Sequence, residues 1–243
     1  MKLMTCGTPE EAAQQAAQFV IDRVNAKPTA ILGLPTGGTP LGMYAELAEA
    51  VREKRVNMRG ITTFNLDEYC GLPVSDPQSY FAFMNTNCYL PCGLDPLQTH
   101  IPDGNAPDPD AEAIAYDNAI RAAGGIDLQV LGIGHNGHIG FNEPGTPPDS
   151  RTHAVRLTPK TRQANARFFN TPDDVPTRAI TMGIGTILEA REILLLANGA
   201  DKAGILAAAL HGPVTPDNPA SFLQTHPRLT VITDAAAAGQ EGG

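Results

Sequence analysis

The run Leu128-Gln129-Val130-Leu131-Gly132-Ile133 is almost continuously apolar, and Ala30-Ile31-Leu32 has the same character near the start of the chain. A strand with one solvated face alternates apolar and polar side chains. A run without that alternation belongs to a strand covered by helices on both faces. Working outward, strand patterns at 2–6, 29–34, 61–66, 126–133, 178–182, 191–197 and 229–233 alternate with helical patterns near 9–26, 40–54, 77–90, 109–123, 159–168, 184–190 and 200–211. The alternation predicts an α/β fold, a doubly wound and mostly parallel sheet in a single domain. Helix starts are marked by Thr8-Pro9, Thr39-Pro40, Asp76-Pro77, Asp108-Pro109 and Thr158-Pro159, each a side-chain acceptor followed by Pro at the first helical position. Glu11, three residues after Thr8, predicts a capping box. Ala13, Ala16, Ala17, Val20 and Val24 share one face of the first helix.

The 243 residues can bury a sizeable core, and 42% hydrophobic against 18% charged residues is a globular balance. With 17 Lys and Arg against 26 Asp and Glu, the net charge is −9. An acidic body repels nucleic acid and anionic lipid, so neither is an expected partner. Cys6, Cys70, Cys88 and Cys92 form no CxxC pair and point to free thiols in a reducing cytoplasm. No apolar core precedes Glu10 and Glu11, so the start does not resemble a signal peptide, and Ile193–Ala197 is too short to span a bilayer. The Pro-rich region 143–178 is a candidate lid, and 235–243 reads as a frayed tail after a domain ending at 234.

Ligands of such sheets bind at the carboxyl ends of the strands. Three polar loops converge there: Pro35-Thr36-Gly37-Gly38-Thr39, Asp67-Glu68-Tyr69 and His135-Asn136-Gly137-His138. The first has the parts of a phosphate cradle, with two glycines, two hydroxyls and a following helix N-terminus. It lacks the Lys-Ser/Thr pair of a P-loop, and a plain βα turn with a Thr cap has the same composition. Asp67 and Glu68 point different ways, so one of them need face the site. Asp67, emerging after Phe64 and Leu66, is a candidate general base, although loop carboxylates are commonly solvated. Gly132-Ile133-Gly134-His135-Asn136-Gly137 matches a dinucleotide fingerprint literally, but Phe141-Asn142-Glu143-Pro144 follows where a helix is required. His135, His138 and Glu143 could be metal ligands, without a zinc spacing, or an acid/base histidine with its orienting carboxylate. Arg167, set among the aromatics of Ala166-Arg167-Phe168-Phe169, and Lys202, at a helix start the macrodipole disfavours, are candidate cations for an anionic ligand. Cys88 and Cys92 have no neighbouring cation and read as structural.

Together Leu32–Pro40, Phe64–Tyr69 and Gly137–Pro144 resemble the glucosamine-6-phosphate deaminase family, as do Ser150-Arg151-Thr152, Ala166–Phe169 and Thr181–Thr186. The likeness runs in order from about Lys2 to Asp234. It implies a Rossmann-like isomerase–deaminase of the short, non-allosteric type, acting in amino-sugar catabolism with no organic cofactor and no metal. The reaction is glucosamine 6-phosphate and water to fructose 6-phosphate and ammonia. By resemblance, Asp67 moves the proton between C2 and C1. His138, with Asn136 beside it and Glu143 in support, takes the proton that opens the ring. Thr36, Gly37, Gly38, Thr39, Arg167 and Lys202 hold the phosphate. The implied partner is a small amino-sugar phosphate, and the implied assembly a monomer or small homo-oligomer.

Two departures stand out. Some members have Asp at the position of Asn136, so His138 is expected to be less basic here. The longer allosteric members carry basic residues at the positions of His153 and Val155, and a longer C-terminal segment. Two rival readings remain. A 6-phosphogluconolactonase shares the fold but typically has Asp-Glu-Arg at 67–69 and lacks the Phe141–Pro144 run. A non-catalytic sugar-phosphate sensor carries an added DNA-binding module, for which a sheet starting at Lys2 leaves no room.

Overall fold

The computed structural model of the chain describes residues 1–166, 169 and 171–240. Its strands are β1 (Lys2–Cys6), β2 (Ile31–Leu34), β3 (Thr62–Asn65), β4 (Asp67–Tyr69), β5 (Thr99–His100), β6 (Leu128–Gly132), β7 (His153–Arg156), β8 (Arg178–Thr181), β9 (Ile193–Ala197) and β10 (Leu229–Asp234). The helices are α1 (Pro9–Ala26), α2 (Leu41–Arg52), α3 (Tyr80–Met84), α4 (Pro109–Ala122), α5 (Pro159–Asn165), α6 (Ile184–Leu188) and α7 (Ala203–His211). A seven-stranded sheet has the order β1-β10-β9-β6-β2-β3-β5, and every neighbouring pair is parallel. Strands β4, β8 and β7 form a second, antiparallel sheet.

Both faces of the large sheet are covered, as the unbroken apolar runs require. Leu128 and Val130 of β6 pack with Val20 of α1 and Leu47 of α2. Leu131 and Ile133, pointing the other way, pack with Ile120 of α4 and Leu206 of α7. From β2 the chain first runs outward through β3 and β5, then returns to β2's other side with the central β6. The crevice outside the ends of β2 and β6 is therefore the point where strand order reverses, the place for a ligand.

Local chemistry moved several boundaries. The pattern at 61–66 predicts one strand, but the strand ends at Asn65, and Leu66 bridges the two sheets without belonging to either. Its N–H donates to Leu34 O of the large sheet, and its carbonyl accepts from Met182 N beside the small one. Asp67 thus starts a new strand at the junction of the two sheets. The helix expected over 77–90 is short, because Ser79 rather than Asp76 caps it and accepts from Ala82 N at 3.0 Å. A π turn over Asn85–Tyr89 follows. Thr39 does not cap α2, which starts from Pro40 without a side-chain cap. Glu11 reaches past the N-cap to Gly7 N at 2.8 Å, so the capping box is offset by one residue. In α1, Ala12 and Ile21 are buried and Ala13 is only half-buried. Ala235–Gln240 is not frayed: Ala237 is buried and its N–H is held by the Asp234 carboxylate at 2.7 Å. Residues 241–243 lie outside the described part. Among the described residues, no helix is long and apolar enough to cross a membrane.

Candidate active site

At the strand-order reversal lies a cleft of about 380 Å³. Thr36–Thr39 after β2, Asp67 after β3, Asn136 and His138 after β6, and Lys202 after β9 all line it. These come from four adjacent strands of the sheet. Arg167 lies outside the described residues.

The glycine loop is fixed from below and open above. Tyr44, fully buried on α2, donates its hydroxyl to Pro35 O at 2.6 Å and pins the loop's first turn. Gly37 has φ 103°, where a side chain would be strained. A Cβ on Gly37 or Gly38 would meet no protein atom within 4 Å, so the space over the loop is free for a ligand. Thr39, released from capping, and Thr36 line that space. Lys202 ends a 3-10 turn and caps α7 with its backbone. Partial burial lowers its pKa, against the opposing charge of Asp201.

Asp67 and Glu68 have separate tasks, as neighbours on a strand should. Glu68 is buried and accepts backbone N–H bonds from Tyr69, Tyr80 and Phe81 at 2.8, 3.0 and 2.9 Å. It caps α3 from a distance and holds Tyr80 against the cleft. Asp67 is only 6% exposed and faces the cleft. Burial, and then the nearby Glu68 charge, pushes its pKa up to about 8. A carboxyl poised there exchanges protons near neutrality.

Across the cleft runs a chain of directed hydrogen bonds. Glu143 Oε2 accepts from Asn136 Nδ2 at 2.6 Å. With the amide nitrogen committed to a carboxylate, Asn136 Oδ1 faces His138 Nδ1 at 2.6 Å and must accept from it. Assigned this way, His138 carries its proton on Nδ1 and leaves Nε2 as a lone-pair acceptor. Burial lowers the His138 pKa; the Glu143 charge, with Nδ1 to Oε2 at 4.0 Å, opposes this, while Lys202, His135 and Lys160 add to the lowering. The ring lies so close to Gly134 that a Cβ there would sit 2.1 Å from the imidazole. The loop closes with Gly137 N donating to Gly134 O at 3.0 Å. Glu143 therefore orients the histidine through the amide rather than directly.

His135 lines the rim of the cleft but takes no part in this chain of bonds. Its Nε2 lies 2.6 Å from Asp201 Oδ2, and both side chains are more than half exposed. Among the described residues, no cluster of three His, Cys, Asp or Glu side chains has metal-binding geometry. Cys88 and Cys92 are buried, with free thiols. Tyr80, Lys160, Thr161 and Asn165 also line the cleft and were not anticipated. The last two are four residues apart, so they share a face of α5; the Thr158-Pro159 helix start carried that signal.

The family model for glucosamine-6-phosphate isomerases/6-phosphogluconolactonase matches residues 7–232. The chain belongs to this family. Within the isomerase/lactonase family, it is similar to glucosamine-6-phosphate deaminase of Bacillus velezensis, 49% identical, with 98% of this chain and 99% of the relative covered. It is 52% identical to that of Halothermothrix orenii, over 94% of this chain and 95% of the relative. A solved structure described as a monomeric glucosamine-6-phosphate deaminase superposes with a TM-score of 0.96 at 47% identity, covering 99% of this chain and 100% of that one. A 6-phosphogluconolactonase from Trypanosoma cruzi has a TM-score of 0.80 at 20% identity, with 98% and 96% covered, and shares the fold alone.

Proposed function

We propose that this chain is a glucosamine-6-phosphate deaminase, converting glucosamine 6-phosphate and water to fructose 6-phosphate and ammonia. The observation that carries the reading is the pairing of a buried carboxyl, Asp67, with a histidine whose Nδ1 is tied to Asn136, both lining one cleft. In ring opening the free Nε2 of His138 takes the C1 hydroxyl proton and passes it to the ring oxygen as the bond from C1 to that oxygen breaks. The resulting aldehyde makes the C2 hydrogen acidic. Asp67 takes that proton, the C1 oxygen takes one from the C2 ammonium to give an enolamine, and Asp67 returns its proton to C1, because one carboxylate can reach both neighbouring carbons. The C2 imine so formed adds water and expels ammonia. The phosphate lies in the open space over Gly37 and Gly38, with the hydroxyls of Thr36 and Thr39 and the cations Lys202 and Arg167 around it.

In this reading residues 1–234 act as one unit, and 143–178, which contributes α5 to the cleft, is its lid. The reaction runs in the cytoplasm, where the four thiols stay reduced. The active form is a monomer or small homo-oligomer, a choice supported by the likeness to a monomeric deaminase. Incubating the protein with glucosamine 6-phosphate and measuring ammonia tests the proposal. Release of ammonia with fructose 6-phosphate is expected. Hydrolysis of 6-phosphogluconolactone without ammonia release would instead make it a lactonase, and binding without turnover a sensor.

A further inference from the structure

Helix α5 does more than cover the cleft. Thr161, in its first turn, has its hydroxyl 2.5 Å from Glu143 Oε1, the oxygen left over once Oε2 has accepted from Asn136. A carboxylate can only accept, so the Thr161 hydroxyl donates. Thr161 Oγ1 also lies 2.9 Å from Thr158 Oγ1. With its own proton committed to Glu143, Thr161 accepts there, and Thr158 donates. The Thr158 oxygen in turn accepts from Thr161 N at 3.1 Å, as an N-cap does. Every bond in the series Thr158, Thr161, Glu143, Asn136, His138 thus has one permitted direction. Both oxygens of Glu143 are held, which stops the carboxylate turning and letting the Asn136 amide flip.

We infer that Thr161 is a positioning residue for ring opening: its hydroxyl, delivered by α5, locks Glu143 and through it the Nδ1–H tautomer of His138. The inference deepens the deaminase reading and rests on it. A second contact at the far end of the same helix fits. Asn165 Nδ2 donates to Tyr69 Oη at 2.9 Å, two residues past Asp67, and Tyr80 Oη lies 3.3 Å from the same oxygen. Thr161 meets the histidine side of the cleft and Asn165 the carboxylate side, so a seated helix completes the relay and an unseated one leaves Glu143 half held. Ring opening is thereby tied to a covered cleft, where the open-chain aldehyde is shielded from water.

The test uses Thr161→Val, which keeps the shape and removes the hydroxyl, and Thr161→Ser, which keeps the hydroxyl. Thr161→Val is expected to lower kcat about 10-fold or more with KM within about 3-fold of wild type, while Thr161→Ser recovers most of kcat. Nitrogen NMR of histidine-labelled protein, with His138→Gln to assign the signal, reads the tautomer without turnover. The wild-type His138 ring is expected as a single Nδ1–H form, and the Thr161→Val ring as a mixture. An unchanged tautomer in Thr161→Val, a loss confined to KM, or a serine variant as slow as the valine one would each overturn the role. If the wild type releases no ammonia, the deaminase reading fails. The NMR comparison still decides whether Thr161 holds the histidine.

Discussion

Asp67 governs the pH behaviour at the level of single residues. Its folded pKa is raised from 3.8 to about 8, so the folded chain holds a proton that the unfolded chain has already lost. Between roughly pH 4 and 8 the unfolded state binds fewer protons, and stability therefore falls as pH rises, levelling off above 8. Asp67→Asn removes this penalty. It should leave stability near wild type at pH 4 and raise it at pH 9 by on the order of a few kcal/mol, read by urea denaturation at both pH values. The same variant should lose about 10²–10⁴-fold in kcat, since an amide cannot accept the C2 proton. For the wild type, kcat/KM should climb through an acid limb near pH 8; a limb in the ordinary carboxylate range would remove Asp67 from the role. Lys202→Ala should weaken substrate by about 1.5–3 kcal/mol, the scale of a hydrogen bond to a charged group, and glucosamine without its phosphate should react very poorly. Equal kcat/KM for the two sugars would empty the anion seat. The glycine loop, Asp67 and the His138 loop could be placed at the cleft from the sequence, because each follows an apolar run that reads as a buried strand, whereas the parts given to Asn136 and Glu143 came from the family resemblance. Tyr80, Lys160, Thr161 and Asn165 could not be placed there, since a helix start such as Thr158-Pro159 shows that a helix begins but not that tertiary contacts seat it on the cleft.

Helix α3 depends on side chains outside its own sequence. Only five residues long, it is too short to hold itself together. Ser79 bonds one of its N–H groups and Glu68, from another strand, bonds two more. Glu68→Gln would turn an amide NH2 toward at least one backbone N–H that now meets an oxygen. We expect a loss of about 2–3 kcal/mol of stability, with the acid limb of kcat/KM moved to lower pH as the charge beside Asp67 disappears. A limb that stays in place would mean that burial alone sets Asp67. Helix α3 also illustrates what local patterns miss. Asp76-Pro77 is a valid start signal, and it lost to a serine backed by a distant carboxylate. The central strands fared better, because burial on both faces leaves an unbroken apolar run. Strands β4 and β5 have three and two residues, pairing too brief to impose a period on the sequence, and β7 is only partly buried, so it carries no apolar run.

At the scale of the whole molecule, the open pocket bounded by Pro144, Thr146, Ser150, Arg151 and His153 is where a second ligand would be sought. Its arginine is already engaged. Arg151 bonds the buried Asp117 at 2.8 and 3.0 Å and Glu189 at 2.6 and 2.9 Å, and Thr152 and Thr186 complete the shell around Asp117. An anion placed there would compete with two carboxylates for one guanidinium, and Val155 offers no charge. Allosteric control requires a second ligand that distinguishes two states. We therefore expect hyperbolic substrate curves, unmoved by N-acetylglucosamine 6-phosphate, from a protein that sediments as a monomer or small oligomer. A sigmoidal curve that this compound straightens would contradict the expectation.

The amide at the heart of the histidine relay precedes a glycine, and Asn-Gly is the dipeptide most prone to spontaneous ageing. The main-chain nitrogen of Gly137 can attack the side-chain carbonyl of Asn136 and expel ammonia. Water then opens the cyclic imide to aspartate or isoaspartate. The folded loop obstructs both partners of that attack: the Gly137 N–H is bound to Gly134 O, and the Asn136 amide is held between Glu143 and His138. The hydrogen bonds that select a proton position thus also set the lifetime of the residue making them. Mass spectrometry of stored protein should find position 136 one dalton heavier far sooner in a peptide spanning the loop than in the intact fold, and sooner again in any variant that loosens Glu143.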